Sequence, residues 1–194
     1  MAKPTATDRS ALVRAAATVF LERGYHNATI DDIAAAAGIS RTTVYRYTQS
    51  KQQLLDVMVV EITGYLGEGL REILTGDLSP RDRLDAYVRA HVRAATSNRA
   101  IYAIVFSEEA ELSSVSKELF RSWAHGVTAD FTELIAECLE AGAASSALNP
   151  AVTANLALSM LTSLHRWYDN DGPVPQEALA DQVLSLVQPA FGGA

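Results

Sequence analysis

The chain has a single cysteine, Cys138, so no intrachain disulfide can form. One thiol in an apolar helical run is the ordinary profile of a small core residue in a reducing compartment. No stretch is long and apolar enough to span a bilayer and no secretory leader opens the sequence, so a cytoplasmic protein is expected. Metal spacing is lacking too: His26, His91, His125 and His165 are scattered, and no second cysteine joins them. No catalytic triad, paired-carboxylate motif or nucleotide loop can be assigned, so an enzyme is not expected and no cofactor is implied. The run GYLGEG at 64–69 has the glycines of a phosphate loop but lacks the preceding strand and the spacing. Strand hairpins and internal repeats are missing as well, which leaves an all-α fold.

Charge is present, and it is unevenly placed. The whole chain carries −7, yet residues 1–51 hold seven Lys or Arg against four acids, a net of +3, so the other 143 residues carry −10. A basic head on an acidic body fits a defined docking surface for nucleic acid and argues against general DNA coating.

The head contains the most specific signal, TIDDIAAAAGISRTTVYRYTQSK, residues 29–51. Thr29 is an N-cap with Asp32 three residues on, and Ile33, Ala34 and Ala37 give a narrow apolar stripe. Gly38 is placed to end this helix in the left-handed conformation. Ser40 then caps a second helix that opens with Arg41, Thr42 and Thr43, hydrogen-bond formers of little apolar bulk. In a helix-turn-helix, residues at this point meet base edges in the major groove, where arginine takes guanine bidentately and threonine packs on a thymine methyl. Tyr45, Arg46, Tyr47 and Lys51 add two phenols and two cations for gripping phosphates. Ser50 and Gln53 form a capping box for the next helix. A purely structural pair of helices with a glycine turn is the bland alternative; the basic balance of this segment disfavours it.

The turn AGIS, the helix TTVYRY, the SK that follows and the opening AAATVFLERGYHNATI together resemble the DNA-binding domain of the tetracycline-repressor (TetR/AcrR) family. One position departs: Thr48 stands where the family usually has an aromatic residue that packs inside the small domain. The resemblance implies an N-terminal three-helix helix-turn-helix domain, residues 1–49. It implies a larger helical effector-binding and dimerisation domain, residues 50–194, and about nine helices in all. It also implies Thr29, Ser40, Arg41, Thr42, Thr43, Tyr45, Arg46, Tyr47 and Lys51 as the DNA-binding set, with a double-stranded operator as partner.

The body reads as helices throughout. Ser50 to about Thr75 is one long helix whose interior holds Gly64, Gly67 and Gly69, each costing about 1 kcal/mol relative to alanine. Close packing against a neighbour explains such glycines; a soft point that transmits movement is the functional alternative. Ser79-Pro80 opens a helix to about Asn98. A shorter one follows over 101–106, then Ser114 to Glu140 stopped at Gly142, then Asn149-Pro150 to about Asp169, and finally Gln176 to Phe191. The last two are rich in Ala, Leu, Val and Ser, suited to a two-fold four-helix interface. The resemblance assigns the homodimer contact to these two helices.

An effector pocket is the least defined expectation. Tyr87, His91, Tyr102, Phe106, Phe120 and Trp123 supply aromatic and polar walls for a largely apolar small molecule, and Arg93 and Arg166 are candidate anion anchors. Each aromatic residue has a competing reading as plain core. The ending RWY…DGP at 166–173 resembles a subset of the family, some of which respond to acyl-CoA or lipid-catabolic intermediates. RWY also suits a helix end or an interface. The resemblance thus implies a ligand-responsive transcriptional regulator, most often a repressor. An activator or effector-independent regulator of the same fold is the second reading, and a helical small-molecule carrier that does not touch DNA is the third.

Overall fold

Two glycines in the left-handed region divide the first sixty residues. Gly24, at φ 78°, follows α1 (Ala6–Arg23), and Gly38, at φ 65°, follows α2 (Ile30–Ala36). A computed structural model describes residues 6–141 and 148–188 of the chain. The expected helix stop at Gly142 and the expected end at Phe191 lie outside the described residues. The chain continues through α3 (Arg41–Val44), α4 (Lys51–Glu61), α5 (Gly67–Leu74), α6 (Pro80–Ser97), α7 (Arg99–Ser107), α8 (Ser114–Ala141), α9 (Pro150–Trp167) and α10 (Gln176–Val187). Among the described residues there is no strand. With α4 and α5 taken as one interrupted helix, the α-helices of the described residues number nine.

That interruption corrects the expectation of one continuous helix over 50–75. Residues Ile62–Leu66 form a π-type turn in which Gly64 leaves helical geometry, at φ −79° and ψ −111°. Three closely spaced glycines lower helix propensity here, and Thr63 adds a competing bond from its hydroxyl to the Val59 carbonyl, 2.9 Å. Close packing does not explain the glycines at 64 and 69, because a Cβ at either would meet nothing within 4 Å.

The described part of Met1–Gly64 packs with Arg99–Phe120 as one unit, and Tyr65–Asn98 packs with the described part of Arg121–Ala194 as a second. In the first unit α1 lies against α2, α4 and α7, burying Leu12, Val13, Ala16, Phe20, Leu54, Leu55 and Met58. Packing therefore draws α4 and α7 into the unit that holds α1–α3. In the second unit α6 is the central element, touching α5, α9 and α10. Its Leu84, Tyr87, Val88, His91, Val92 and Ala95 are all buried, at the spacing expected for one broad face. Pro80 and the Ser79 cap start α6 as the sequence implies.

Among the described residues of this unit Arg83 is the one buried Lys or Arg. Its guanidinium donates to the Leu74 carbonyl at 2.7 Å and the Leu78 carbonyl at 3.2 Å, and pairs with Glu137. It thereby satisfies the carbonyl end of α5, which carries no glycine cap of its own. Cys138 is buried beside it, and burial pushes its thiol up to about 11, an inert core cysteine.

Candidate nucleic-acid interface and effector region

The helix-turn-helix is built by its caps. Thr29 closes a reciprocal box with Asp32: the Asp32 N–H donates to Thr29 Oγ1 (3.2 Å), and the Thr29 N–H donates to Asp32 Oδ2 (2.9 Å). The Thr29 hydroxyl, which donates to Asp32 Oδ2 at 2.7 Å, and then the Thr29 N–H hold the Asp32 carboxyl below the usual range, with a smaller contribution from Arg23 at 2.8 Å. At the other end, Gly38 N–H reaches the Ala35 carbonyl and Ile39 N–H reaches the Ala34 carbonyl, at 3.1 and 3.0 Å, the paired closure that a left-handed residue permits. Ser40 Oγ accepts from the Thr43 N–H at 3.1 Å and contacts the Thr43 hydroxyl at 2.8 Å, so α3 starts on schedule. Val44, fully buried, pins α3 to the domain; burying such a side chain stabilises by about 1.5–3 kcal/mol.

This leaves a definite division among the nine expected DNA-binding residues. Arg41, Thr42, Tyr45 and Arg46 are exposed, and Tyr47 is half-buried. Thr29, Ser40 and Thr43 spend their hydroxyls on caps. Lys51 is turned inward: Nζ donates to the carbonyls of Tyr25 (2.6 Å) and His26 (2.9 Å) and lies 4.8 Å from the Tyr25 ring centroid. It braces the turn between α1 and α2, which sequence reading assigned only to phosphate contact.

Two further features were missed. Arg41 Nη1 donates to Asp31 Oδ2 at 2.7 Å and Nη2 to the Tyr45 hydroxyl at 3.2 Å, with the guanidinium 5.6 Å from the Tyr45 ring centre. The Tyr45 bond and the Asp31 charge both raise the Arg41 pKa, keeping the guanidinium cationic. Opposite charges at the starts of α2 and α3 were the available signal. Thr48, where the family pattern has an aromatic, is buried and polar-bonded: Oγ1 donates to the Ser50 carbonyl at 2.8 Å, while Gln53 Oε1 accepts from the Gln49 N–H at 2.7 Å. A hydrogen-bonded turn replaces the ring, so α4 is still held at its start.

The effector residues fall in two groups. In the second unit the Tyr87 hydroxyl lies 3.2 Å from His91 Nδ1, and the Tyr87 ring stacks at a tilt on Phe131, with centroids 4.8 Å apart. His91 is buried, its Nε2 has no hydrogen-bond partner, and burial drives its pKa down to about 4, so the imidazole is neutral. Trp123 is half-buried on α8. In the first unit Tyr102, Phe106 and Phe120 form a chain of rings, with centroids at 6.1 and 5.3 Å, and burial raises the Tyr102 phenol. A cleft of about 550 Å³ opens between α5 and α6, lined by Glu68, Gly69, Glu72, Ile73, Arg93 and Ser97 among others. Arg93 thus sits at a cavity, as an anion anchor must.

Arg166 does not. It is exposed on α9 next to Trp167, which is 60% exposed, and Tyr168 is buried with its hydroxyl donating to the Val174 carbonyl at 2.7 Å. Helical spacing puts Val152, Leu156 and Trp167 along one side of α9, at 57%, 68% and 60% exposure, and α10 adds Leu186 at 71%. Large apolar side chains on both helices are thus left open to solvent. Val115 and Leu119 on α8 are also exposed, because the buried side of its first turns is taken by Ser116 and Phe120.

Among the described residues no cluster of His, Cys, Asp or Glu can hold a metal, and no helix is long and apolar enough to cross a membrane.

Known proteins agree with this architecture. Residues 12–58 match the family model of bacterial regulatory proteins of the tetR family, and residues 77–189 match that of the tetracyclin repressor-like C-terminal domain. The HTH-type transcriptional repressor KstR2 of Rhodococcus jostii is 32% identical over 183 residues, 92% of this chain and 88% of the relative. Among solved structures, the ketosteroid transcriptional regulator KstR2 of Mycobacterium tuberculosis superposes with a TM-score of 0.87 at 23% identity, covering 100% of this chain and 99% of that one. AibR, solved with isovaleryl coenzyme A and operator DNA, superposes at 0.78 with 22% identity, covering 94% and 98%.

Proposed function

The chain belongs to the TetR family of bacterial regulatory proteins, and from that premise we propose that it is a homodimeric repressor released from a partly palindromic operator by an acyl-CoA or lipid-like effector. Family membership makes it a DNA-binding transcriptional regulator that acts by binding, not catalysis. The observation that carries the reading is the exposed set Arg41, Thr42 and Tyr45 on a short helix fixed by Ser40 and Val44. Arg41 and Thr42 meet base edges; Tyr45, Arg46 and Tyr47 hold the backbone; Thr29, Ser40, Thr43 and Lys51 keep the frame that positions them.

Residues 1–49 form the DNA-binding head in this reading and 50–194 the effector and dimer body, working in the cytoplasm. The exposed stripe of α9 and α10 supports dimerisation through these two helices, with Arg166 and Trp167 belonging to that contact. Two copies related by a two-fold axis then address successive major grooves.

For the effector, isovaleryl coenzyme A in AibR points to a thioester. In this reading Tyr87, His91 and Trp123 in the second unit, and separately Tyr102, Phe106 and Phe120 in the first, are the candidate apolar contacts; Arg93, at the α5/α6 cleft that none of these six lines, is the candidate anion anchor. Ligand favours a conformation that binds operator less well, and the affinity difference between the two states bounds the response. The test is release of the protein from its selected duplex, followed by fluorescence anisotropy, across acyl-CoA thioesters of increasing acyl size. Release by one size range at micromolar concentration is expected. Insensitivity to every thioester and to the matching free acids would contradict the effector assignment.

A further inference from the structure

Asp31 is an acid on a surface that meets a polyanion. Such a group is unfavourable for DNA binding unless it does something there. Its neighbour Asp32 is already committed to the Thr29 cap and to Arg23. Asp31 instead reaches across to the first residue of α3, where its Oδ2 accepts from Arg41 Nη1 at 2.7 Å. Tyr45 OH accepts from Nη2 at 3.2 Å, one helical turn further on. Two acceptors, one on α2 and one at the C-cap of α3, therefore fix the plane of one guanidinium. Five N–H donors belong to an arginine, so three stay available for a base.

Position 31 in the first turn of α2 also suits an acid on helix-dipole grounds alone. That role needs no aim at Arg41, whereas the observed contact has one. Both side chains are more than half exposed, so the pair adds little to stability and its effect is orientation.

We propose that Asp31 is a positioning residue for sequence readout: it sets the Arg41 fork for bidentate contact with one base pair and penalises binding in other registers by repelling phosphate. The inference rests on Arg41 reading a base. Its test compares the wild-type protein with Asp31→Ala, Arg41→Ala and the double variant. Each is titrated against the selected operator, its single-base variants and a random duplex, after sedimentation shows the wild-type oligomer.

Asp31→Ala should lower the operator-to-random affinity ratio about tenfold, with the loss confined to the base pair that Arg41→Ala relaxes. Binding to random duplex should strengthen, and the double variant should discriminate no worse than Arg41→Ala alone. If Arg41→Ala relaxes one base pair while Asp31→Ala leaves the ratio intact, or weakens all sequences alike, the inference fails and the Arg41 assignment survives. If Arg41→Ala relaxes none, both fall.

Discussion

The face of α3 and the open side of α9 and α10 are both exposed, and they are opposites in chemistry. The first shows Arg41, Thr42, Tyr45 and Arg46; the second shows Val152, Leu156, Trp167 and Leu186. Exposed polar groups on a capped, pinned helix are stable in water whether or not another molecule covers them. Exposed apolar groups on long helices lose free energy to water and are relieved by another apolar surface. In the proposed reading the contrast separates the face that reads DNA from the face that pairs subunits.

Placing charge on the apolar side attacks the comparison most heavily. Leu156→Glu with Leu186→Glu should leave each monomer folded, since both residues are exposed, and should convert the dimer to monomer by sedimentation. Losing bivalent attachment should cut operator affinity by about 100-fold or more. Full operator affinity in a monomeric variant would break the link between the two regions.

Acid is the next lever, and it acts on the second unit. His91 is neutral in the fold because burial lowers its pKa from 6.5 to about 4. Between those values the unfolded chain holds a proton that the native one does not, so stability rises with pH. The contribution is complete above about pH 6.5 and is lost as pH falls toward 4, at most about 1.4 kcal/mol per pH unit and of order 3 kcal/mol in all. Denaturant midpoints should show this slope in the wild-type protein and a flatter profile in His91→Gln.

On the polar face the effects are smaller and selective. Arg41→Ala should cost about 1–3 kcal/mol at one base pair while leaving the oligomer unchanged, as binding to single-base operator variants would reveal. Lys51→Ala should lower stability by about 1–2 kcal/mol, because two carbonyls lose a charged donor. Its salt slope of operator binding should change by less than one, where an unbraced phosphate contact would shift it by about one. Gly69→Ala should change least, adding up to about 1 kcal/mol of helix stability at an open position while narrowing the α5/α6 cleft; thermal midpoints and effector titration separate the two.

Much of this was legible in the sequence because it is local. Thr29 with Asp32, Gly38, Ser40, Ser50 and Ser79-Pro80 are cap and turn signals that act within four residues, and each caps or turns where its position implies. Yet the Ser50 N–H goes to Thr48 Oγ1 and Gln53 Oε1 accepts from the Gln49 N–H, so the expected Ser50–Gln53 box is only half formed. The buried face of α6 follows from spacing alone. What stayed hidden depends on contacts distant in sequence. Lys51 finds carbonyls 25 and 26 positions away, and Asp31 finds Arg41 across a turn. The break at Gly64 needed the sum of three weak helix formers and a competing threonine, and periodicity does not register that sum. Exposure of Leu156 and Trp167 could not be told from burial by composition, since an interface and a core use the same residues.

Selection of bound sites from a random duplex pool, with purified wild-type protein at near-physiological salt, tests the central claim most directly. The account predicts a partly palindromic motif whose half-sites lie about 10 base pairs apart or a multiple of that. Recovery of no sequence above background, or of a single half-site bound by one subunit, would contradict it.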